Sequence, residues 1–371
     1  MADQQRIFEL YSSPHLKRAV STDIIMRNVV LALLPVVAFS IYQFGISALL
    51  LVLAGTAASV ATEYVIMRLS RRDTTVPDTS VADTTVADWS AAVTGILLAL
   101  TLPPGFPLWM AAVGGFISIA LGKAVFGGLG VNIFNPALVG RAFLQATFPV
   151  AITSWTPAFI PGRFIETIPS TLAAPFTKPL PVADYVARAV DGFTGATPLT
   201  LFKFQNVDTD NLRLLFGMTA GSAGETAALL ILLCGAYLAI RRMLDWRIVA
   251  AVLGSVFIFS GAFYLAGHGK YPDPFFMLFS GGLMLGAVFM ATDMVTSPIT
   301  PVGVWIYGAL IGAITVIIRL KGGLPEGVMY AILLGNGVAP LIDNLTQPRI
   351  YGAPKKPLFA PKSARQVESK K

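Results

Sequence analysis

The chain has 371 residues, 55% of them hydrophobic and only 13% charged, with a mean hydropathy of +0.70. Soluble domains carry about 25% charged residues, so this is a membrane composition and not a large soluble core. The net charge of +7 lies largely in short loops and the C-terminal tail, where membrane topology accounts for it. It does not indicate nucleic acid.

In chain order, Met1 to Arg27 is polar and carries Arg6, Lys17, Arg18 and Arg27. It lacks the short apolar core and small-residue cleavage site of a secretory signal. A helix needs about 20 apolar residues to cross the hydrocarbon core. Ten segments meet or approach that: 24–43, 46–68, 89–103, 108–126, 136–154, 225–241, 247–266, 275–292, 303–319 and 326–344. The third and eighth are short and run into Pro- or Thr-rich breaks, and broken helices at matching positions often mark a binding site.

Lys and Arg place the ends. The N-terminus, Arg68, Arg71, Arg72, Lys123, Arg241, Arg242, Arg247 and the tail from Arg349 share one side, which the positive-inside rule makes cytoplasmic. Arg319 and Lys321 are the exception, near the outer end of the ninth span. The expected fold is an all-α integral membrane protein with about ten transmembrane helices. Gly95–Thr101 is echoed by Gly286–Thr292, Trp109 by Trp305, and Gly127-Gly128-Leu129 by Gly322-Gly323-Leu324. Three echoes in order suggest two inverted five-helix repeats, which tend to place a site near the midplane. The domains expected are a cytoplasmic N-terminus at 1–23, a first repeat at 24–154, an extracytoplasmic loop at 155–224, a second repeat at 225–345 and a basic cytoplasmic tail at 346–371. Attraction of that tail to anionic lipid follows from its charge.

Within the segments, Asn132 and Asn135 offer amide donors and acceptors, and Pro136 suits a first helical turn. Arg141 would then lie inside a span, where charge is costly and either functional or paired. It contacts a bound ring, pairs with Glu63 or Asp293, or snorkels to the cytoplasmic face. Asp293 either terminates the eighth span or binds a cation or a ring N–H. Ser222 and Glu225 have capping-box spacing at the start of the sixth span. Cys234, alone in an apolar helix, reads as a small buried hydrophobe. His15 and His268 are too few for a metal site or a haem pair.

The longest polar loop holds Asp191-Gly192-Phe193-Thr194-Gly195-Ala196-Thr197-Pro198-Leu199. Gly195 and Ala196 leave room beside the Thr197 hydroxyl, and Pro198 stiffens the exit. Asp191 and Thr194 would help a separate enzyme recognise the loop or hold a metal during transfer. Such residues also form plain turns.

This stretch resembles the flavinylation motif of the membrane subunits of Rnf and Nqr redox pumps. Ser12-Ser13-Pro14-His15, Ile25-Met26-Arg27 and Leu31–Pro35 resemble the N-terminus of the Rnf D protein. Asn132–Leu138 with Arg141–Leu144, and Phe289–Asp293, resemble segments shared by Rnf D and Nqr B. Met294 departs from the pattern, which usually has proline after the aspartate.

The resemblance implies FMN held on Thr197 through a phosphodiester, a second, noncovalent flavin (riboflavin) among the helices, and Asp191, Gly192, Thr194, Gly195 and Ala196 as the motif around the attachment site. Asn135 and Arg141 become candidate contacts to a flavin. It implies partners: the A, B, C, E and G subunits of an Rnf complex, and a flavin transferase for maturation. The complex would sit in the inner membrane, pass electrons between ferredoxin and NAD, and couple this to Na⁺ or H⁺ movement. The competing reading is a multi-pass channel or small-solute transporter without a redox role.

Overall fold

The computed structural model describes residues 21–70, 88–175, 177, 196–267 and 270–348. The N-terminal arm, His15, His268 and the basic tail from Arg349 lie outside them. Among the described residues every regular element is helical. Six helices are long and apolar enough to cross a membrane: Thr22–Phe44, Ile46–Leu69, Leu108–Phe126, Trp246–Ala266, Pro301–Lys321 and Val328–Thr346. The other four expected spans are shorter or interrupted. They are Ser90–Leu100, Pro136–Thr147, Ala228–Ile240, and a broken segment of Pro274–Phe279, Leu283–Leu285 and a π-helical turn, Gly286–Met290.

In chain order the helices are α1 (Thr22–Phe44), α2 (Ile46–Ser70), α3 (Ser90–Leu100), α4 (Leu108–Ala120), α5 (Pro136–Thr147) and α6 (Pro149–Ile152). They continue with α7 (Pro198–Gln205), α8 (Asn211–Phe216), α9 (Ala228–Ile240), α10 (Trp246–Ala266), α11 (Pro274–Phe279), α12 (Leu283–Leu285), α13 (Pro301–Lys321) and α14 (Val328–Thr346). The two halves pack in the same order. In the first, α2 lies against α3 and α4, and α4 against α5. In the second, α10 lies against α11 and α13, and α13 against α14. The first helix of each half, α1 and α9, pack on each other.

Small residues make these contacts close, as membrane helices require when lipid is no less apolar than the core. A Cβ on Gly115 would come 3.0 Å from Ser59 Oγ on α2, and one on Gly312 would come 2.9 Å from Ser255 Cβ on α10. At Gly95 a Cβ would lie 2.5 Å from the Thr56 Cα.

Each half also contains the same break. Before α3, Trp89 takes a left-handed φ of 66°, and Asp88 Oδ1 accepts from Ser90 N (2.8 Å) and Ser90 Oγ (2.5 Å). Before α12, Gly281 takes φ 65°, and Glu326 Oε1 accepts from Gly282 N (3.3 Å). A buried cation from the end of the following long helix secures each break. Lys123 donates to Ser90 Oγ (2.6 Å), and Arg319 donates to the carbonyls of Met277 (2.5 Å) and Ser280 (2.9 Å). This explains the charge exception at Arg319, which is buried and structural and does not report topology. Lys123 is likewise buried and is not a loop charge.

The far end of α3 is also satisfied by backbone. Leu102 O accepts from Ala223 N (3.0 Å) and Leu100 O from Gly224 N (2.8 Å). The Ser222–Glu225 stretch is therefore not a capping box. The helix α9 begins at Ala228 without a side-chain cap, and Ser222 Oγ donates to Glu225 Oε2 instead (2.5 Å).

Gly95→Ala places a methyl against backbone that cannot yield, and overpacking costs about 1–3 kcal/mol. The full chain in detergent should unfold at a lower temperature. A Cβ on Gly254 meets nothing within 4 Å, so Gly254→Ala should be neutral or raise stability by up to about 1 kcal/mol through helix propensity.

Candidate functional site

Of the expected motif, Asp191, Gly192, Thr194 and Gly195 lie outside the described residues, and Ala196 and Thr197 lie within them. Thr197 is the N-cap of α7, with Pro198 in the first helical turn. Its Oγ1 accepts from Thr200 N (3.3 Å) and is hydrogen-bonded to Thr200 Oγ1 (2.9 Å). The residue is only 4% exposed.

Two contacts hold α7 in place. Leu199 packs with Leu214 and Phe276. Lys203 Nζ donates to the carbonyls of Gly322 (2.6 Å) and Leu324 (2.8 Å) in the turn between α13 and α14. Desolvation pushes the Lys203 ammonium below its ordinary pKa.

Thr200 and Phe204 of α7 form one wall of an open cavity of about 230 Å³. Leu138, Ile152, Trp155, Leu285, Met290, Met329 and Ile332 give it apolar sides. Its polar residues include Thr101, Arg141, Gln145, Glu225 and Glu326. Arg141 pairs with neither Glu63 nor Asp293, and it does not snorkel. Its Nη1 lies 3.4 Å from Glu225 Oε1 and its Nη2 3.1 Å from Glu326 Oε2. One guanidinium thus bridges two carboxylates from opposite sides of the second half. Sequence reasoning assigns Glu225 to a cap and passes over Glu326. The available signal is an acid at the opening of an apolar run, where charge needs a partner.

A second cavity lies at the opposite ends of the same helices. Ser90, Lys123, Asn132, Asn135, Thr292 and Asp293 supply polar groups, and Ile25, Met26, Val93, Leu97, Leu238 and Phe289 apolar ones. Asn135 caps α5, with Oδ1 accepting from Ala137 N (3.1 Å) and Leu138 N (3.4 Å), and its Nδ2 donates to Met290 O (3.3 Å). Asn132 Oδ1 is buried without a hydrogen-bond partner among the described residues. A buried amide oxygen of this kind calls for a donor from outside. Asp293 accepts from Val295 N (3.2 Å) and so closes the turn at Met294, besides facing the cavity. Glu63 is paired with Lys123.

Each cavity draws on both halves: the first on Thr101, Arg141, Leu285 and Ile332, the second on Ser90, Asn135, Leu238 and Phe289. They also share walls. α3 runs from Ser90 at one to Thr101 at the other, α5 from Asn135 to Gln145, and the π-helical segment from Asp293 to Leu285.

Removing the Arg141 charge strands the buried Glu225 and the half-buried Glu326. Breaking a buried pair costs about 3–5 kcal/mol, so Arg141→Met should lower the unfolding temperature of the detergent-solubilised chain. Arg141→Met combined with Glu225→Gln should recover part of the loss.

Similarity to known proteins points the same way. The model of the NQR2, RnfD, RnfE family matches residues 9–352. The chain is 39% identical over 359 residues to the D component of the proton-translocating ferredoxin:NAD(+) oxidoreductase complex of Clostridium ljungdahlii, covering 94% of this chain and 97% of the relative. It is 42% identical over 344 residues to the D component of the Na(+)-translocating ferredoxin:NAD(+) oxidoreductase complex of Acetobacterium woodii, covering 93% and 95%. It is 35% identical over 357 residues to the D component of the ion-translocating oxidoreductase complex of Actinobacillus succinogenes, covering 93% and 98%. The chain belongs to the NQR2, RnfD, RnfE family.

Proposed function

We propose that this chain is the flavin-carrying membrane subunit of an ion-translocating ferredoxin:NAD⁺ oxidoreductase. It relays electrons and is not catalytic alone. The observation that carries this reading is the position of Thr197. Its hydroxyl is one hydrogen bond from Thr200, which lines the Arg141 cavity.

An FMN phosphate esterified to Thr197 sits at the N-terminus of α7, where free N–H groups and the helix dipole favour an anion. Thr197 Oγ1 keeps its acceptor role toward Thr200 N after esterification. The adjoining cavity would hold the isoalloxazine ring, its apolar sides suiting a flat aromatic body and its Arg141 offering a donor to a polar edge. A flavin supplies one- and two-electron chemistry, and the protein supplies position and electrostatics. Asp191, Gly192, Thr194, Gly195 and Ala196 form the recognition segment for a flavin transferase. Because Thr197 is buried, attachment precedes the packing of α7 on the bundle or requires α7 to move away from it.

The second cavity suits the noncovalent flavin, riboflavin by resemblance to the Rnf and Nqr pumps. Asn132 Oδ1 awaits a donor there, and Lys123 supplies a positive charge. The segment from Leu285 to Asp293 faces both cavities and has a helical rise of about 12 Å. That short stretch of this chain would separate the two flavins and set the distance between them.

The repeated break and the shared order of packing support two inverted halves of five segments each, ten in all. The positive-inside pattern puts the loop at 155–224, and the Thr197 cavity, on the outer face of the inner membrane. The Lys123 cavity then faces the cytoplasm. The A, B, C, E and G subunits would supply the remaining centres between ferredoxin and NAD, and the coupled ion is Na⁺ or H⁺.

A denaturing gel of protein from cells containing the transferase tests the attachment. The wild-type band should fluoresce as flavin, Thr197→Ala should be dark, and Thr197→Val, which keeps the shape without the hydroxyl, should be dark too. A dark wild-type band would return the chain to the transporter reading. A bright Thr197→Ala band would move the attachment elsewhere.

A further inference from the structure

Glu63 lines neither cavity. It lies on α2, 3% exposed, and pairs with Lys123, also 3% exposed. Lys123 lines the inner cavity with Asn132 and Asn135, while Glu63 is absent from its walls and sits behind the lysine. The ammonium therefore stands between a carboxylate and the cavity, donating to Glu63 Oε1 and to Ser90 Oγ.

Glu63 Oε2 has no hydrogen-bond partner among the described residues, although it is shut off from solvent. Ser59 Oγ and Thr56 Oγ1, four and seven residues earlier on the same helix, are buried and unpartnered among those residues as well. By helical rise this line of oxygens runs about 10 Å. A carboxylate this buried keeps its charge only while a cation stays beside it.

Two acids beside this pair and the cavity are already engaged: Asp88 accepts from Ser90, and Asp293, which lines the cavity just beyond the π-helical turn, accepts from Val295 N. The α1 residues Ile25, Met26 and Val29 that face the cavity carry no charge.

We propose that Lys123 is a charge switch and Glu63 a proton-loading site. A negative charge arriving in the inner cavity draws the ammonium away from Glu63, and Glu63 then binds a proton. This rests on the reading that a flavin occupies that cavity. One electron enters the occupant, one O–H bond forms at Glu63 with a proton taken from the aqueous phase, and Lys123 keeps all its protons. Reoxidation reverses each change, and the proton leaves.

Redox-difference infrared spectroscopy of the purified complex tests this. Reduction of the wild type should raise a protonated-carboxyl band that shifts in D₂O. The band should be lost in Glu63→Gln and displaced but kept in Glu63→Asp. In Lys123→Met, where Glu63 is protonated in both redox states, it should vanish from the difference spectrum. No such band in the wild type, or an unchanged band in Glu63→Gln, overturns the proposal. Acid extraction of the same samples measures noncovalent flavin independently. Its absence from the wild type removes the inner-cavity reading and the proposal with it, whereas flavin present without a Glu63 band overturns the switch alone.

Discussion

Backbone that leaves the helix inside a membrane must find its hydrogen bonds within the protein, because lipid offers none. This chain breaks its helices repeatedly at buried positions, and its architecture follows from how those breaks are satisfied. Asp88 and Glu326 accept from the amides that open α3 and α12. The amides of Ala223 and Gly224 close the far end of α3, and Asn135 takes up a carbonyl at the end of the π-helical turn. Arg319 holds two more carbonyls. Apart from the local Asp88 bond, these contacts join segments distant in the chain, so the breaks and the packing of the halves depend on each other.

The same demand explains why so many charges are buried in so apolar a chain. Isolated, each would be costly. Here they are grouped, Lys123 with Glu63, and Arg141 with Glu225 and Glu326. Such pairs are weak contributors to net stability but expensive to break. Their value lies in where they stand. Both groups border a cavity, so a change of charge in that cavity falls on a pair already balanced between desolvation and attraction.

Much of this is legible in the sequence. Hydropathy locates the helical segments of both halves, and the short third and eighth spans carry their breaks in plain view. Asn135-Pro136 has the pattern of a helix start, and Asn135 is the N-cap. Hydropathy does not distinguish a full span from the 12- and 13-residue helices α5 and α9, because the irregular backbone flanking them is buried and apolar too. The partners of Arg141 are not legible, being 84 and 185 residues away. Thr197 stands out as a hydroxyl in a polar loop. Its capping role is readable as well, since Thr followed by Pro has the same N-cap and first-turn pattern as Asn135-Pro136.

The two halves pack their helices in the same order, and what differs at their breaks sets the two cavities apart. Each half has a break secured by a buried cation, with a cavity beside it. In the first half the secured position is Ser90, whose hydroxyl leaves Lys123 oriented between the cavity and Glu63. In the second the cation holds the carbonyls of Met277 and Ser280, and at the adjoining Gly282 a Cβ would run into the Glu225 carboxylate. Glycine there admits a second acid into the floor, and Arg141 from the first half is needed to hold both. The Arg141 cavity is thus built by both halves, with α7 from the connecting segment as one wall. The Lys123 cavity also draws on both halves, but there a single cation is backed by one acid.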